Sequence, residues 1–231
     1  AKIMEAKIAR THYSKFDLPP VPPFLQGRYI RGNFTEGMLQ TRYGTRVVVL
    51  PEDLVLGLHQ AIEYETGRAW KLVAYTCGRK WGERLLRMMQ REWRDHHHHQ
   101  LEHLDYHVFE AWLTQYFEFS GWGTLEISFE LEDQGLVEFR LRDSILDRLL
   151  SEFDDNYVNE IFAGVLGATS SWLAGRELDC IEITSTRVGA PHSRMIVGLP
   201  GNVAEARRLR AAGAELEEML DALRVISPPR S

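Results

Sequence analysis

Thr124-Leu125-Glu126-Ile127-Ser128-Phe129-Glu130-Leu131, followed by Glu132-Asp133-Gln134-Gly135 and Leu136-Val137-Glu138-Phe139-Arg140-Leu141, is the stretch that decides the fold. Leu125, Ile127, Phe129 and Leu131 alternate with polar residues, the period-two pattern of a strand with one buried face. Asp133-Gln134-Gly135 supplies turn chemistry, and Val137, Phe139 and Leu141 resume the alternation. Two such runs across so short a turn form an antiparallel β-hairpin, which sets the chain apart from a doubly wound parallel sheet.

Working outward, residues 156–174 follow a helical pattern in which Gly164 and Gly167 cost stability unless something packs closely on them. Two strands follow, Leu178 to Ser185 and Ser193 to Leu199, joined through Gly189-Ala190-Pro191. The spacing predicts one final helix over 203–225, with Leu209, Leu216, Leu220 and Leu223 on one stripe. Its basic residues come early and its acidic ones late, against the helix dipole, so packing must hold it.

Upstream of the hairpin, Arg46 to Leu50 reads as a short strand, and Pro51-Glu52-Asp53 opens a helix that ends near Thr66-Gly67. The β-rich run from Trp70 to Cys77 predicts a strand feeding an amphipathic helix over 80–94. A second long helix is expected over 100–119, where Leu104, Val108, Trp112 and Tyr116 recur every four residues until Gly121-Trp122-Gly123 breaks the pattern. The four prolines of Leu18-Pro19-Pro20-Val21-Pro22-Pro23 remove donors and fix φ, as in an extended arm. The expectation is therefore an α+β fold. An arm and linker occupy 1–45, an antiparallel sheet covered by long helices 46–200, and an amphipathic helix with its tail 201–231.

Composition bounds the function. With 231 residues, 44% of them hydrophobic, the chain can bury a substantial core. A formal charge of -6 offers no basic footprint for a nucleic-acid backbone, so nucleic acid is not an expected partner. Two cysteines, Cys77 and Cys180, supply neither a disulfide framework nor a Cys-rich zinc cluster, which fits a reducing, cytoplasmic setting. The opening residues 1–11 lack the apolar core of a secretory signal, and the longest apolar runs fall well short of the ~20 residues a spanning helix needs. Any membrane association is expected to be peripheral. The dinucleotide, P-loop and nucleophile-elbow motifs do not occur, so hydride, phosphoryl and acyl transfer lack their usual apparatus.

One longer pattern does carry a resemblance. Asn159-Glu160-Ile161-Phe162-Ala163-Gly164-Val165-Leu166-Gly167, continuing through Gly175-Arg176-Glu177-Leu178 to Glu182, Ser185, Gly189 and Ser193, resembles the C-terminal signature of the 4-vinyl reductase domain. Arg46-Val47-Val48-Val49-Leu50-Pro51, Tyr75-Thr76-Cys77-Gly78 and Gly82 resemble that family's opening strand and its Gly-x3-Gly helix start. The likeness spans roughly Arg46 to Pro200. It implies a fold shared with vesicle-tethering TRAPP subunits, a homodimer, and binding of aromatic effectors or of bacteriochlorophyll and chlorophyll precursors. Some relatives bind zinc through three Cys and one Glu. Here the matching positions are Asn159, Ser185 and Ser193 beside Glu182, and without thiolates no zinc is expected.

The residues add their own candidates. Six of the nine histidines fall within 95–107, and on a helix His99, His103 and His107 lie near one face, a spacing suited to a shared metal or to an axial tetrapyrrole ligand. The bland alternative is a solvated, adventitiously metal-binding His run. Trp81, Trp112 and Tyr116 could line an apolar site for a conjugated ring, or they could simply fill the core. Glu182, a carboxylate on a strand, wants a partner such as Arg187 or Arg194. Cys77 has no evident His partner and reads as structural.

These features together favour a binder of a hydrophobic small molecule, a chlorophyll-type tetrapyrrole above all, serving as carrier or photosynthetic-complex assembly factor. The competing readings are a subunit of a tetrapyrrole vinyl reductase and a ligand-free interaction module docking onto a larger complex at a membrane surface.

Overall fold

The computed structural model describes residues 29–33, 35–97 and 106–224. In chain order, strands β1 (Ile30–Asn33), β2 (Met38–Thr41) and β3 (Arg46–Val47) precede helices α1 (Glu52–Thr66), α2 (Trp70–His97) and α3 (Tyr106–Phe119). The hairpin β4 (Thr124–Ser128) and β5 (Val137–Arg142) follows, then the short α4 (Ile145–Leu149) and α5 (Glu160–Ala174). Strands β6 (Asp179–Thr184) and β7 (Ser193–Gly198) lead into α6 (Pro200–Ala211) and α7 (Leu216–Leu223).

The expected hairpin forms with Leu125 opposite Leu141 and Ile127 opposite Phe139, but β4 ends at Ser128, so Phe129 and Leu131 belong to a longer connection that carries a 3-10 turn over Glu132–Gln134. The hairpin pairs with β7 to give a wholly antiparallel four-stranded sheet of order β4-β5-β7-β6. Strand alternation splits the core in two. Leu125, Ile127, Phe139, Leu141, Cys180, Met195 and Val197 face Phe162, Val165 and Leu166 of α5, with α2 and α3 beyond. Ile181, Ile183 and Ile196 turn to the opposite face, where Val203 and Ala206 of α6 and Leu220 and Leu223 of α7 cover them. The α+β class with long helices over an antiparallel sheet is thus the observed architecture. No helix among the described residues is long and apolar enough to cross a membrane.

Four local expectations are corrected. Residues 70–77 form the first two turns of α2 and not a strand; Tyr75, Gly78, Gly82, Leu85 and Met89 are buried at helical spacing, while Leu72 and Val73 point outward. Gly78 and Gly82 therefore sit inside a helix, where they let α2 cross α5 closely. The strand expected over 46–50 ends at Val47, and Val48, Val49 and Leu50 are exposed. The predicted terminal helix is two, separated at Gly213 with its left-handed φ of 78°. The break also removes the dipole conflict. Arg208 and Arg210 close α6, and Glu217 and Glu218 open α7, each at the end that favours its charge. Residues 30–41, read as part of an arm, hold two strands of the small sheet β1-β2-β3.

That small sheet buries little of its own. Its base is tied to α2 through Glu92, which accepts from the Tyr29 hydroxyl at 2.5 Å and from Thr41 and Thr45 Oγ1 at 3.0 Å each. Strand β6 lies at one border of the main sheet, and side chains occupy its outward carbonyls. Leu178 O accepts from Arg79 Nη1 at 2.8 Å and Ser171 Oγ at 2.9 Å. Cys180 O accepts from Arg207 Nη2, and Glu182 O from Arg210 Nη1, both at 2.7 Å.

Candidate functional site

Helix α3 carries Trp112 and Tyr116 one turn apart, and their rings stack at a 5.0 Å centroid distance and 6°. Further along the same helix Phe119 meets the Tyr29 ring edge-on at 5.6 Å. Tyr29 also leans on Tyr43, whose hydroxyl lies 2.8 Å from His96 Nδ1. Burial pushes the Tyr29 and Tyr116 hydroxyls above the ordinary tyrosine range, and for Tyr29 the carboxylate of Glu92 adds to the rise. These phenols stay neutral at physiological pH. On the same helix, the buried Oε1 of Gln115 has no hydrogen-bond partner among the described residues.

A second aromatic group sits between α2 and α5. Trp81 meets Trp122 edge-on at 5.4 Å, both lie against Phe162, and Phe117 closes on Phe162 at 5.4 Å. The structure therefore unites Trp112 with Tyr116 and places Trp81 in a neighbouring layer. His99 and His103 lie outside the described residues, as does the side chain of His107, whose backbone lies in the first turn of α3.

Sequence reasoning passed over Tyr29, Tyr43, Glu92 and Gln115. Glu92 had one signal, its place in the buried stripe of α2 between Met89 and His96.

Of the four positions carried over from the zinc-binding pattern, Asn159, Glu182 and Ser193 converge, whereas Ser185 Oγ accepts locally from the Arg187 backbone N–H. Asn159, Glu182, Ser185 and Ser193 are all completely buried. The Asn159 side chain occupies the centre: its Nδ2 donates to Glu182 Oε1 at 2.7 Å and Asp147 Oδ1 at 2.8 Å, and lies 3.3 Å from Ser193 Oγ. Its backbone N–H reaches Glu182 Oε2 at 3.1 Å, and its Oδ1 accepts from Ser144 Oγ at 2.6 Å. Ser193 and Thr186 both donate to Asp147 Oδ2. An amide thus joins two carboxylates where a cation would otherwise balance them.

Burial pushes the Glu182 carboxyl up to about 8; the hydrogen bonds from Asn159 oppose the rise and nearby Asp147 adds to it. Neither arginine expected to pair with Glu182 does so. Arg187 donates to the Leu150 and Phe153 carbonyls, and Arg194 pairs with Glu138 at 2.9 Å. Asp147, Ser144 and Thr186 completed the cluster unforeseen, because they arrive from α4 and the β6–β7 connection. Burial also raises the Cys180 thiol far above its usual range, leaving it inert, while Cys77 is exposed.

Neither a family model nor a curated protein matches this chain. Among solved structures, the phenol-responsive sensory domain of the transcription activator PoxR, crystallised with phenol, is similar at a TM-score of 0.56 and 17% identity. That match covers 86% of this chain and 93% of that one. A trafficking protein particle complex subunit 3 from Naegleria fowleri, covalently bound to palmitic acid, aligns at a TM-score of 0.44 and 13% identity, covering 63% of this chain and 93% of that one. At such identity the likeness to the sensory domain establishes a shared fold.

Proposed function

We propose that this chain binds an apolar, ring-bearing small molecule against the aromatic face of α3 and acts as a binding protein. The observation that carries the reading is the parallel stack of Trp112 on Tyr116, continued by Phe119 toward Tyr29. Such a row offers flat π-faces of the kind that receive conjugated rings. The phenol found in the fold neighbour supports the ligand class. Membership of the 4-vinyl reductase family belongs to the same proposal and rests on the residue pattern.

The finer reading is a chlorophyll-type tetrapyrrole with His103 or His107 at its central metal, in a carrier or assembly factor. It is supported by the His99, His103, His107 spacing and the aromatics one to three turns further on. Titration with phenol and with a soluble chlorophyll derivative, followed by tryptophan fluorescence, tests both levels. Saturable quenching by either, weakened in W112A/Y116A, is expected, and a flat response to both would sink the proposal. If the chlorophyll derivative binds, H103A/H107A should shift its absorption band; an unchanged band removes the histidine role.

A homodimer is the second element of the proposal, supported by large apolar side chains left exposed on and around α1. Val49 is 72% exposed and Leu72 69%, with Val48, Leu54 and Leu58 nearby in the chain. Light scattering should give twice the 26.7 kDa chain mass. A strict monomer at micromolar concentration counts against it.

A further inference from the structure

The Oε1 atom of Gln115 is buried and lacks any hydrogen-bond partner among the described residues. Gln115 lies three residues after Trp112, next to Tyr116 and four before Phe119, so helical geometry puts it alongside the aromatic row. An acceptor held out of water with nothing to accept from is costly, and native proteins retain few of them without a reason. The neighbouring rings stack on one another or meet edge-on, and no polar atom of theirs bonds to it.

We infer that Gln115 is the specificity-determining acceptor of the α3 site, and that its ligand is a neutral ring compound bearing an O–H or N–H donor. The inference rests on the binding reading above and narrows it. A flat ring lies against the aromatic row while its donor satisfies Gln115 Oε1. Two kinds of ring compound are disfavoured by the same atom. A plain hydrocarbon leaves the acceptor unpaired, and a carboxylate or ether brings a second acceptor against it.

The test compares three probes that differ at the donor: 2-naphthol with O–H, indole with N–H, and 2-methoxynaphthalene with neither. Affinities are measured by calorimetry on the full chain, its Q115M variant, which keeps length and loses the acceptor, and its Q115E variant, which keeps an acceptor. Wild type should favour 2-naphthol over the methyl ether by about fivefold or more, the ratio a net hydrogen bond supplies. Indole decides whether N–H serves as well as O–H. Q115M should bind both naphthalenes with a ratio near one while its melting temperature stays level or rises, and Q115E should keep the preference.

Equal binding of the two naphthalenes by wild type, or an unchanged ratio in Q115M, overturns the inference and leaves the binding reading standing. A preference for the ether overturns it as well, because the buried amide group would then be acting as donor. If none of these probes, phenol or a chlorophyll derivative binds wild type, the binding reading falls and takes the inference with it.

Discussion

Gly78 of α2 and Gly164 of α5 meet backbone to backbone. A methyl group on Gly164 would stand 2.9 Å from Gly78 Cα and 2.8 Å from Arg79 N, with Tyr75 O closer still. One on Gly78 would stand 2.8 Å from Ile161 C and 3.1 Å from Gly164 Cα. These are main-chain neighbours that no rotamer change can move.

G164A is therefore expected to destabilise the protein by about 3 kcal/mol or more, since the overpacking cost outweighs the roughly 1 kcal/mol gained in helix propensity. Gly57, inside α1 with no described atom within 4 Å of where a methyl group would stand, is the control. G57A should stabilise by about 0.5–1 kcal/mol. Urea denaturation of both variants decides; shifts of the same sign would refute the close-crossing explanation.

Glu182 predicts a pH dependence. Its carboxyl is raised to about 8 by burial, so between the ordinary carboxyl range and that value the folded state holds a proton the unfolded state has lost. The stabilisation is complete at low pH and disappears as pH rises through about 8. Relative to E182Q, wild type should lose on the order of a few kcal/mol between pH 5 and 8. Denaturation midpoints for the pair at several pH values measure this, and a gap that stays flat removes the assignment.

The buried cluster also permits a gain-of-function experiment. Wild type, with His96 to His99 replaced to suppress adventitious binding, should carry no stoichiometric zinc. The triple variant N159C/S185C/S193C supplies three thiolates beside Glu182 and should bind one zinc per chain, read by metal analysis and by cobalt absorption. A folded triple variant without metal means that the resemblance misplaces these positions.

Glu92 anchors the small sheet, so its loss should loosen residues 30–47 ahead of the rest. E92A strands the Tyr29, Thr41 and Thr45 hydroxyls and should cost about 3 kcal/mol. E92Q keeps an acceptor and should cost less. Hydrogen exchange of the β1–β3 amides is the direct readout, and protection equal to wild type in E92A would show that something else holds the sheet.

The parts of the fold that were legible in the sequence are those where apolar side chains carry the contacts. In β4 and β5 each inward residue is apolar, so alternation alone located the hairpin. The first turns of α2 were misread because glycines carry its closest contacts, and Gly78 and Gly82 leave no hydrophobic trace. Exposed Leu72 and Val73 supplied a false one. Strands β1 to β3 bury too little for any periodicity to appear. In the polar cluster, the family resemblance pointed to Asn159, Glu182, Ser185 and Ser193, whereas Asp147 joins from another element through tertiary folding alone.

The arginines along β6 bear on how this molecule avoids strand-by-strand growth with copies of itself. A border strand with bare carbonyls is a template, onto which a neighbouring chain can add rung by rung until a fibre results. Arg207 and Arg210 come from the segment that follows the sheet, so in chain order the guard comes after the strand it protects. A chain cut short after Gly198 would lose both that guard and the helices that cover Ile181, Ile183 and Ile196, leaving an open edge beside an uncovered apolar face.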